Sequence, residues 1–294
     1  MIQVILNPYA NRWKAGRRRA QVEQALQAAG VAYTVAVTIE PRQATLLAET
    51  AVREGATAVV AAGGDGTISE VVNGLIRASG DGPTVPLGIM PVGSANDFGE
   101  MVHIPRDLAA AAQVIAAGKT RRIDAGRVND HYFNNNSAVA MEPMITLEQI
   151  AITRVSGELR YLLALVKGLL KLKAWQMKIT WDGGGYDGPA YLLSVCNSPR
   201  TGGFDMAPGA KVDDGWLDVV FAPEIPRRQV LAVLFGLLRG EHIRHPAVTF
   251  VRTRTLALTS SPGTPLHADG EVLGGSFTAV EYAVLPGKLT LLTP

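Results

Sequence analysis

Scarcity shapes the first reading of this chain. One cysteine, Cys196, stands among 294 residues, so neither an intramolecular disulfide nor a thiolate metal centre is available. The chain therefore fits a reducing compartment, with the cytoplasm as the default. Charge of one sign is not in excess: 28 Lys and Arg face 26 Asp and Glu, leaving +2. That is too near balance for a protein held to nucleic acid by its overall field, so an acidic partner must be met locally. Long apolar runs are missing too. No stretch without Asp, Glu, Lys or Arg reaches the ~20 apolar residues of a membrane span, and residues 82–96, one of the longest, are broken by prolines and glycines. Met1 leads straight into IQVIL, with no basic leader or small-residue cleavage site, so no signal peptide is expected. Aromatics are few, 6%, against 31 Gly and 17 Pro, a turn-rich globular profile that excludes disorder, coiled coil and collagen.

What is present suits two domains, since ~100–200 residues make one and each half can bury its own core. In the first third, short apolar runs alternate with helical patterns: IQVIL at 2–6, a helix near 17–29, AYTVAVT at 32–38, a helix over 43–54, then TAVVAA at 57–62. A helix over 66–77, a strand at 87–90 and an alanine-rich helix over 108–118 follow. This alternation predicts a parallel sheet with crossover helices. Beyond Thr120 the pattern turns to alternating or short β-rich runs between Gly, Pro and Asp turns, among them KITWDGGGYDGPAYLLSVCNS, GWLDVVFA and TRTLALTS. An antiparallel β domain is expected there, interrupted by helical stretches near 157–173 and 227–239. The division falls at 122, giving 1–122 and 123–294. The last strand has the option of returning to the first domain.

Two loops carry the clearest chemistry. In AAGGDGTISEVVNGL, residues 61–75, a buried strand runs through Gly63-Gly64-Asp65-Gly66-Thr67 into a helix. Glycines let backbone N–H groups approach an anion, and the helix N-terminus adds positive potential. Asp65 would repel a bare phosphate; it makes sense with a divalent cation between carboxylate and phosphates. The plainer alternative is a strand-to-helix turn capped by Asp65 or Thr67. One crossover later, PLGIMPVGSANDFGE at 86–100 repeats the strand-to-loop pattern, and loops at the carboxyl ends of parallel strands face one crevice. Ser94 and Asn96 are candidate phosphate or ribose donors, and Asp97 can orient a neighbour or bind a cation through water. A simple turn remains open there.

GGDGT, then EVVNGL, then PLGIxPxGxxNDF resembles the diacylglycerol kinase catalytic domain of bacterial lipid kinases. Related GGDG loops occur in NAD kinases and phosphofructokinases, so Glu70, Asn73-Gly74 and Asn96-Asp97-Phe98 discriminate. Asn7-Pro8 is similar to the family's first nucleotide loop, residues 213–218 (DDGWLD) to its DDGxLD segment, and Asp269-Gly270-Glu271 to its DGE motif. The ordered matches run along nearly the whole chain. The resemblance implies a Rossmann-like or phosphofructokinase-like three-layer α/β domain, a C-terminal antiparallel β-sandwich, and a nucleotide in the cleft between them. It implies ATP and Mg²⁺ as cofactors, with Asn7, Asn11, Thr38, Gly64, Asp65, Gly66, Thr67, Glu70, Ser94 and Asn96 as nucleotide contacts. Glu271 matches the general base, with Asp65 beside it as a catalytic carboxylate. A structural Mg²⁺ is implied on main-chain oxygens around Lys211, Asp214 and Trp216, with Asp97 and Asp124 in the acidic network. A homodimer through an edge strand is implied by analogy.

Glu271, flanked by Gly270 and by Gly274-Gly275, reads from its own neighbours as an open-turn carboxylate able to reach a substrate hydroxyl, or as an exposed hairpin residue. The chain departs from the family pattern in Tyr9-Ala10-Asn11 after Asn-Pro, in GSAND for GTGND, and in FNNNSAVAMEPMI at 133–145, where glycines are expected. Residues 160–175 (RYLLALVKGLLKLKAW) read as a membrane-surface helix or a core-facing helix with solvated lysines, and 230–240 as the wall of an acyl pocket or a cover for the sheet. His242 and His245 are assigned no chemistry. No G-x-G-x-x-G follows a strand and no Walker sequence occurs, which sets aside a dehydrogenase and a Walker-type ATPase. The expected protein is an ATP- and Mg²⁺-dependent kinase for a hydroxyl of a diacylglycerol-like lipid, peripheral to the inner membrane face. Kinases for phosphatidylglycerol or a sphingoid base, and a non-catalytic nucleotide- or lipid-binding regulator, are the alternatives.

Overall fold

The computed structural model describes residues 1–10, 18–152, 163, 167, 168, 171–201 and 203–294. Four parallel strands, β1 (Ile2–Leu6), β2 (Tyr33–Val37), β3 (Ala58–Gly63) and β4 (Leu87–Pro91), lie in the order β4-β3-β1-β2. They are joined through helices α1 (Arg19–Ala28), α2 (Gln43–Arg53) and α3 (Asp65–Ser79). The composition of the central strand explains its place: AVVAAG is buried at every position, as a parallel strand covered on both faces must be. After a short helix α4 (Asp97–Met101), the alanine-rich α5 (Leu108–Ala117) starts on Asp107, whose carboxylate accepts from the Ala110 N–H at 2.9 Å, and stops at Gly118 in the left-handed region.

The remaining strands are β5 (Thr120–Val128), β6 (His131–Phe133), β7 (Asn136–Ala140), β8 (Trp175–Trp181), β9 (Gly184–Cys196), β10 (Leu217–Pro223), β11 (Thr249–Thr253), β12 (Thr255–Ala268) and β13 (Glu271–Leu292). Helices α6 (Met141–Ala151) and α7 (Arg227–Leu237) interrupt them. β8 pairs antiparallel with the first halves of β9 and β12, while β7 pairs with their second halves. β9 and β12 thus pass from one layer to the other, turning the corners of a sandwich. The β-rich core gathers Phe133, Met177, Ile179, Leu193, Val219, Leu258 and Tyr282.

β13 joins the halves. Its beginning pairs with β12, its middle and end run antiparallel to β5, and Leu291 lies beside Leu87 of β4 in parallel register. Leu289, Leu291 and Leu292 consequently enter the first core, with Ile5, Leu75 and Ile89, while Val280 and Val284 enter the second. The last strand belongs to both hydrophobic units.

Two helices were not apparent in the sequence. Residues 141–151 form α6 because Glu142-Pro143 sits in a first turn, where a missing proline N–H costs nothing, and Ala140 at φ 68 redirects the chain out of β7. α4 follows a left-handed Asn96, φ 56. Most of the helix expected near 157–173 lies outside the described residues, as does Asn11. Among the described residues no helix is long and apolar enough to cross a membrane.

Helices α2 and α3 approach so closely that a Cβ on Gly74 would stand 2.3 Å from the Thr45 carbonyl oxygen and 2.7 Å from the Ala48 Cβ. Backbone cannot yield as a side chain can, so Gly74→Ala should cost ~1–3 kcal/mol, read as a lower urea midpoint at unchanged m-value.

Candidate functional site

The glycine loops meet backbone to backbone. The Gly63 carbonyl accepts from the N–H groups of Val92 and Gly93 at 3.1 and 3.0 Å, and a Cβ on Gly93 would come within 2.3 Å of the Gly64 Cα. Asn96 closes its loop on itself: Oδ1 accepts from the Gly93 N–H at 3.0 Å while Nδ2 donates to the Gly93 carbonyl at 3.1 Å. Asn96 is therefore spent on shaping the loop, whereas Ser94 is exposed on it. Asn7 reaches the same place from β1, its Nδ2 donating to Thr67 Oγ1 at 3.0 Å. Thr38 is buried at the end of β2, with a hydroxyl that finds no partner among the described residues.

Two carboxylates line this crevice. Asp65 Oδ1 accepts from the Phe98 N–H at 3.0 Å, and Asp97 Oδ2 from the Gly203 N–H at 3.1 Å. Burial, and then the charge of Asp65, push the Asp97 carboxyl upward. Gly64 is the N-cap of α3, and neither Asp65 nor Thr67 caps it through a side chain. Asp65 thus adds negative charge at a helix end, and a phosphate brought there would call for a divalent cation between them.

About five residues along α3, or ~7.5 Å at 1.5 Å per residue, Glu70 begins a second cleft. Its volume is about 300 Å³, and its lining includes Arg42, Ser69, Glu70, Arg77, His131 and Glu271. Glu70 Oε2 accepts from the Ala44 N–H at 3.0 Å, tying α3 to α2. Burial first, then the like charge of Glu271, raise the Glu70 carboxyl. Glu271 opens β13 with 38% of its side chain exposed and is paired with Arg42, a non-glycine residue at φ 65. The open-turn carboxylate of the sequence is, in the fold, one side of a cleft whose other side is α3.

The turn before Glu271 is held from behind. Asp269 is buried, and its carboxylate accepts from the N–H groups of Asn134, Asn135 and Asn136 at 3.0, 2.8 and 3.2 Å, with the Ser69 hydroxyl as a further donor. His267 Nδ1 accepts from the Gly270 N–H at 3.3 Å, and its Nε2 lies 3.2 Å from Glu142 Oε1. Asn136 Nδ2 donates to the same Oε1 at 2.7 Å. Burial opposes the charge on Glu142, but His267, Asn136 and Ser194 together hold its carboxyl below the ordinary range. Glu142, part of the segment that departs from the family pattern, thus belongs to the support of the DGE turn. Asn73 clamps the other flank, donating to the Tyr132 carbonyl at 2.8 Å and accepting from the Tyr132 N–H at 3.0 Å. An asparagine in mid-helix, where its propensity is poor, was the available signal for that role. Arg42 had none beyond its place before a helix.

The acidic turn lies elsewhere on the same framework. Asp124, buried on β5, accepts from the N–H groups of Gly215 and Gly287, both at 2.7 Å, and burial raises its carboxyl. Asp214 accepts from the Trp216 N–H at 3.2 Å and pairs with Arg252, which stacks at 5.7 Å from the Trp216 ring. Asp124 therefore keeps company with the 213–216 turn and Asp97 with Asp65, in two separate groups. No cluster of three His, Cys, Asp or Glu able to hold a metal occurs among the described residues. A cation at the turn would rest on carbonyls: no backbone N–H outside the helices and strands of the described residues is donated to the main-chain carbonyl oxygens of Lys211, Asp214 or Trp216. That donor set fits a hard cation.

Two nested glycine loops lined by the carboxylates of Asp65 and Asp97 form a crevice suited to phosphoryl groups. Residues 1–128 match the diacylglycerol kinase catalytic domain and residues 142–293 the YegS C-terminal NAD kinase beta sandwich-like domain. Diacylglycerol kinases of Staphylococcus aureus strains MRSA252 and Newman are each 31% identical over 280 residues, covering 94% of this chain and 87% of the relative. The chain belongs to the diacylglycerol kinase family of lipid kinases. Two Bacillus anthracis structures share the fold: one, a diacylglycerol kinase by name, at TM-score 0.74 and 21% identity over 100% of this chain and 96% of that one, the other at TM-score 0.82 and 23% identity over 100% and 97%.

Burial pushes the Asp269 carboxyl up to about 6, above the ~3.9 of an unfolded aspartate. The folded chain therefore binds this proton first, and the group favours folding most below about pH 4, a contribution lost as pH rises through about 6. Asp269→Asn should flatten stability against pH across that window. At pH 7 it should cost ~1–3 kcal/mol in urea unfolding, because an amide cannot accept from every donor facing it.

Proposed function

We propose that this lipid kinase uses ATP and Mg²⁺ to phosphorylate the hydroxyl of a diacylglycerol-like lipid at the cytoplasmic face of the membrane, forming phosphatidic acid. The observation that carries the reading is the position of Glu271: an accessible carboxylate on a braced turn, across a cleft from the helix whose N-terminus carries the phosphate loop. Asn7, Asn11, Thr38, Gly64 to Glu70 and Ser94 are assigned to the nucleotide, with Asn96 shaping the loop that carries Ser94, 1–122 as the nucleotide-binding unit and 123–294 as the lipid-facing one. The relatives' names supply the acceptor class, and the lipid kinase family supplies ATP use.

Phosphoryl transfer needs positioning and charge neutralisation more than covalent help from the protein. The backbone N–H groups of the 64–67 loop and the α3 terminus orient the phosphates. Glu271 takes the proton of the lipid hydroxyl as its oxygen attacks the γ-phosphorus, and ADP departs with the electrons of the broken P–O bond. Arg42 must release Glu271 for that step, which an exposed ion pair permits at small cost. When bound, Mg²⁺ supplies neutralisation of phosphate charge near Asp65 and Asp97; around Lys211, Asp214 and Trp216 it would hold the turn that Asp124 orients.

Glu271→Gln should lower kcat by ~100-fold or more while leaving the thermal unfolding midpoint within a few degrees. Turnover of diacylglycerol micelles at the wild-type rate would remove the base from Glu271. In the same assay with labelled ATP, phosphatidylglycerol and a sphingoid base serve as rival acceptors. Faster labelling of either replaces diacylglycerol as the substrate, and tight ATP binding with no labelled lipid at all favours a regulator.

A further inference from the structure

We infer that the outer face of α7 is the surface by which this protein docks on an anionic lipid bilayer. The inference rests on the lipid-kinase reading and adds to it the element that meets the membrane. α7 has two apolar sides. On one, Val230 is buried, and Val233 and Leu237 pack against the small core of Met206, Ala207, Val220 and Val248. On the other, Leu231, Phe235 and Leu238 follow at helical spacing and are 51%, 65% and 56% exposed. Residues four and seven apart share a helix face, so the three make one stripe. The core does not account for it.

The charges beside the stripe indicate the occupant. Arg227, Arg228 and Arg239 are exposed at its two ends, and no acidic residue occurs from Arg227 to Arg239. A second copy laid on this face about a two-fold axis would bring arginines together with no carboxylate on the helix to receive them. A bilayer containing anionic lipid receives both parts: phosphates meet the guanidinium groups, and the acyl boundary takes up Leu and Phe, as for interfacial helices with basic flanks. The platform under the helix is firm. His242 Nε2 lies 2.9 Å from the Met206 carbonyl oxygen, and Gly236 lets the following chain approach, since a Cβ there would meet the His242 Cα at 3.0 Å.

Co-sedimentation of the full chain with vesicles tests the assignment, using phosphatidylcholine alone and phosphatidylcholine with about a third phosphatidylglycerol. The wild type should bind the anionic vesicles. Leu231→Ser/Phe235→Ser/Leu238→Ser should weaken that binding by ~10-fold or more, and Arg227→Gln/Arg228→Gln/Arg239→Gln should erase the preference for anionic vesicles. Both variants should keep the wild-type rate on a dispersed short-chain diacylglycerol, which shows that they fold. Serine-variant binding equal to wild type overturns the inference, as does a wild type that ignores both vesicles. A wild-type dimer that the serine variant converts to monomer assigns the stripe to a second copy instead. Vesicle binding is read without turnover, so a wild type that docks yet phosphorylates no lipid would refute the proposed reaction and leave the docking surface standing.

Discussion

A carboxylate buried without donors would be untenable, and Asp269 survives in the interior only because three successive backbone N–H groups, those of Asn134, Asn135 and Asn136, turn toward it. That requirement organises much of the molecule. It brings the chain between β6 and β7 under the turn at the start of β13, and it draws Ser69 of α3 into the same group. Asn73, one turn further along α3, then grips Tyr132 through both its carbonyl and its N–H. The helix that begins at the phosphate loop is thereby bound to the strand that begins at Glu271. This junction adds to the ties that β13, the Arg42–Glu271 pair and the bond from the Gly203 N–H to Asp97 make between the two halves.

The site also concentrates negative charge that the protein alone does not neutralise. Burial and then the charge of Asp65 raise the Asp97 carboxyl in the loop crevice, and burial and then the charge of Glu271 raise the Glu70 carboxyl in the cleft. In the cleft Glu271 pairs with Arg42, held at φ 65 where a non-glycine residue is strained, and in the crevice the charge of Arg200 favours ionisation of Asp97. Backbone strain and like-charge contact are tolerated where a ligand is meant to enter, and both occur within a few residues of the glycine loops.

Much of this was legible in advance. IQVIL at 2–6 is β1 to the residue, and the helix read from Gln43 runs to Arg53, because apolar spacing and the Gly and Pro breaks agree in a parallel βα array. The strand-to-helix loop was legible for the same reason: GGDGT sits between a fully apolar strand and a strong helix. What escaped was chemistry spread over distant segments. Asn96 reads as a phosphate donor in isolation, yet its amide is consumed by Gly93. Glu142 stands in a segment that looked merely divergent, and only the arrival of His267 and Asn136, from β12 and β7, explains a charge there. The 213–216 turn and Asp97 looked like parts of one acidic network, but the fold assigns them to different neighbours.

Sequence alone determined what short-range physics can encode: the alternation of strands and helices, the glycine loops between them, and the near-neutral, span-free composition that leaves binding to local groups. These follow from residues within a dozen positions of each other, where periodicity and backbone freedom act directly. Tertiary structure decided which polar groups are spent on architecture and which remain for a substrate. That division depends on partners 60 to 135 residues away, as with Asn7 and Thr67 or Asn134 and Asp269. Desolvation forces each buried donor and acceptor to find such a partner, and only the closed fold determines which one it finds.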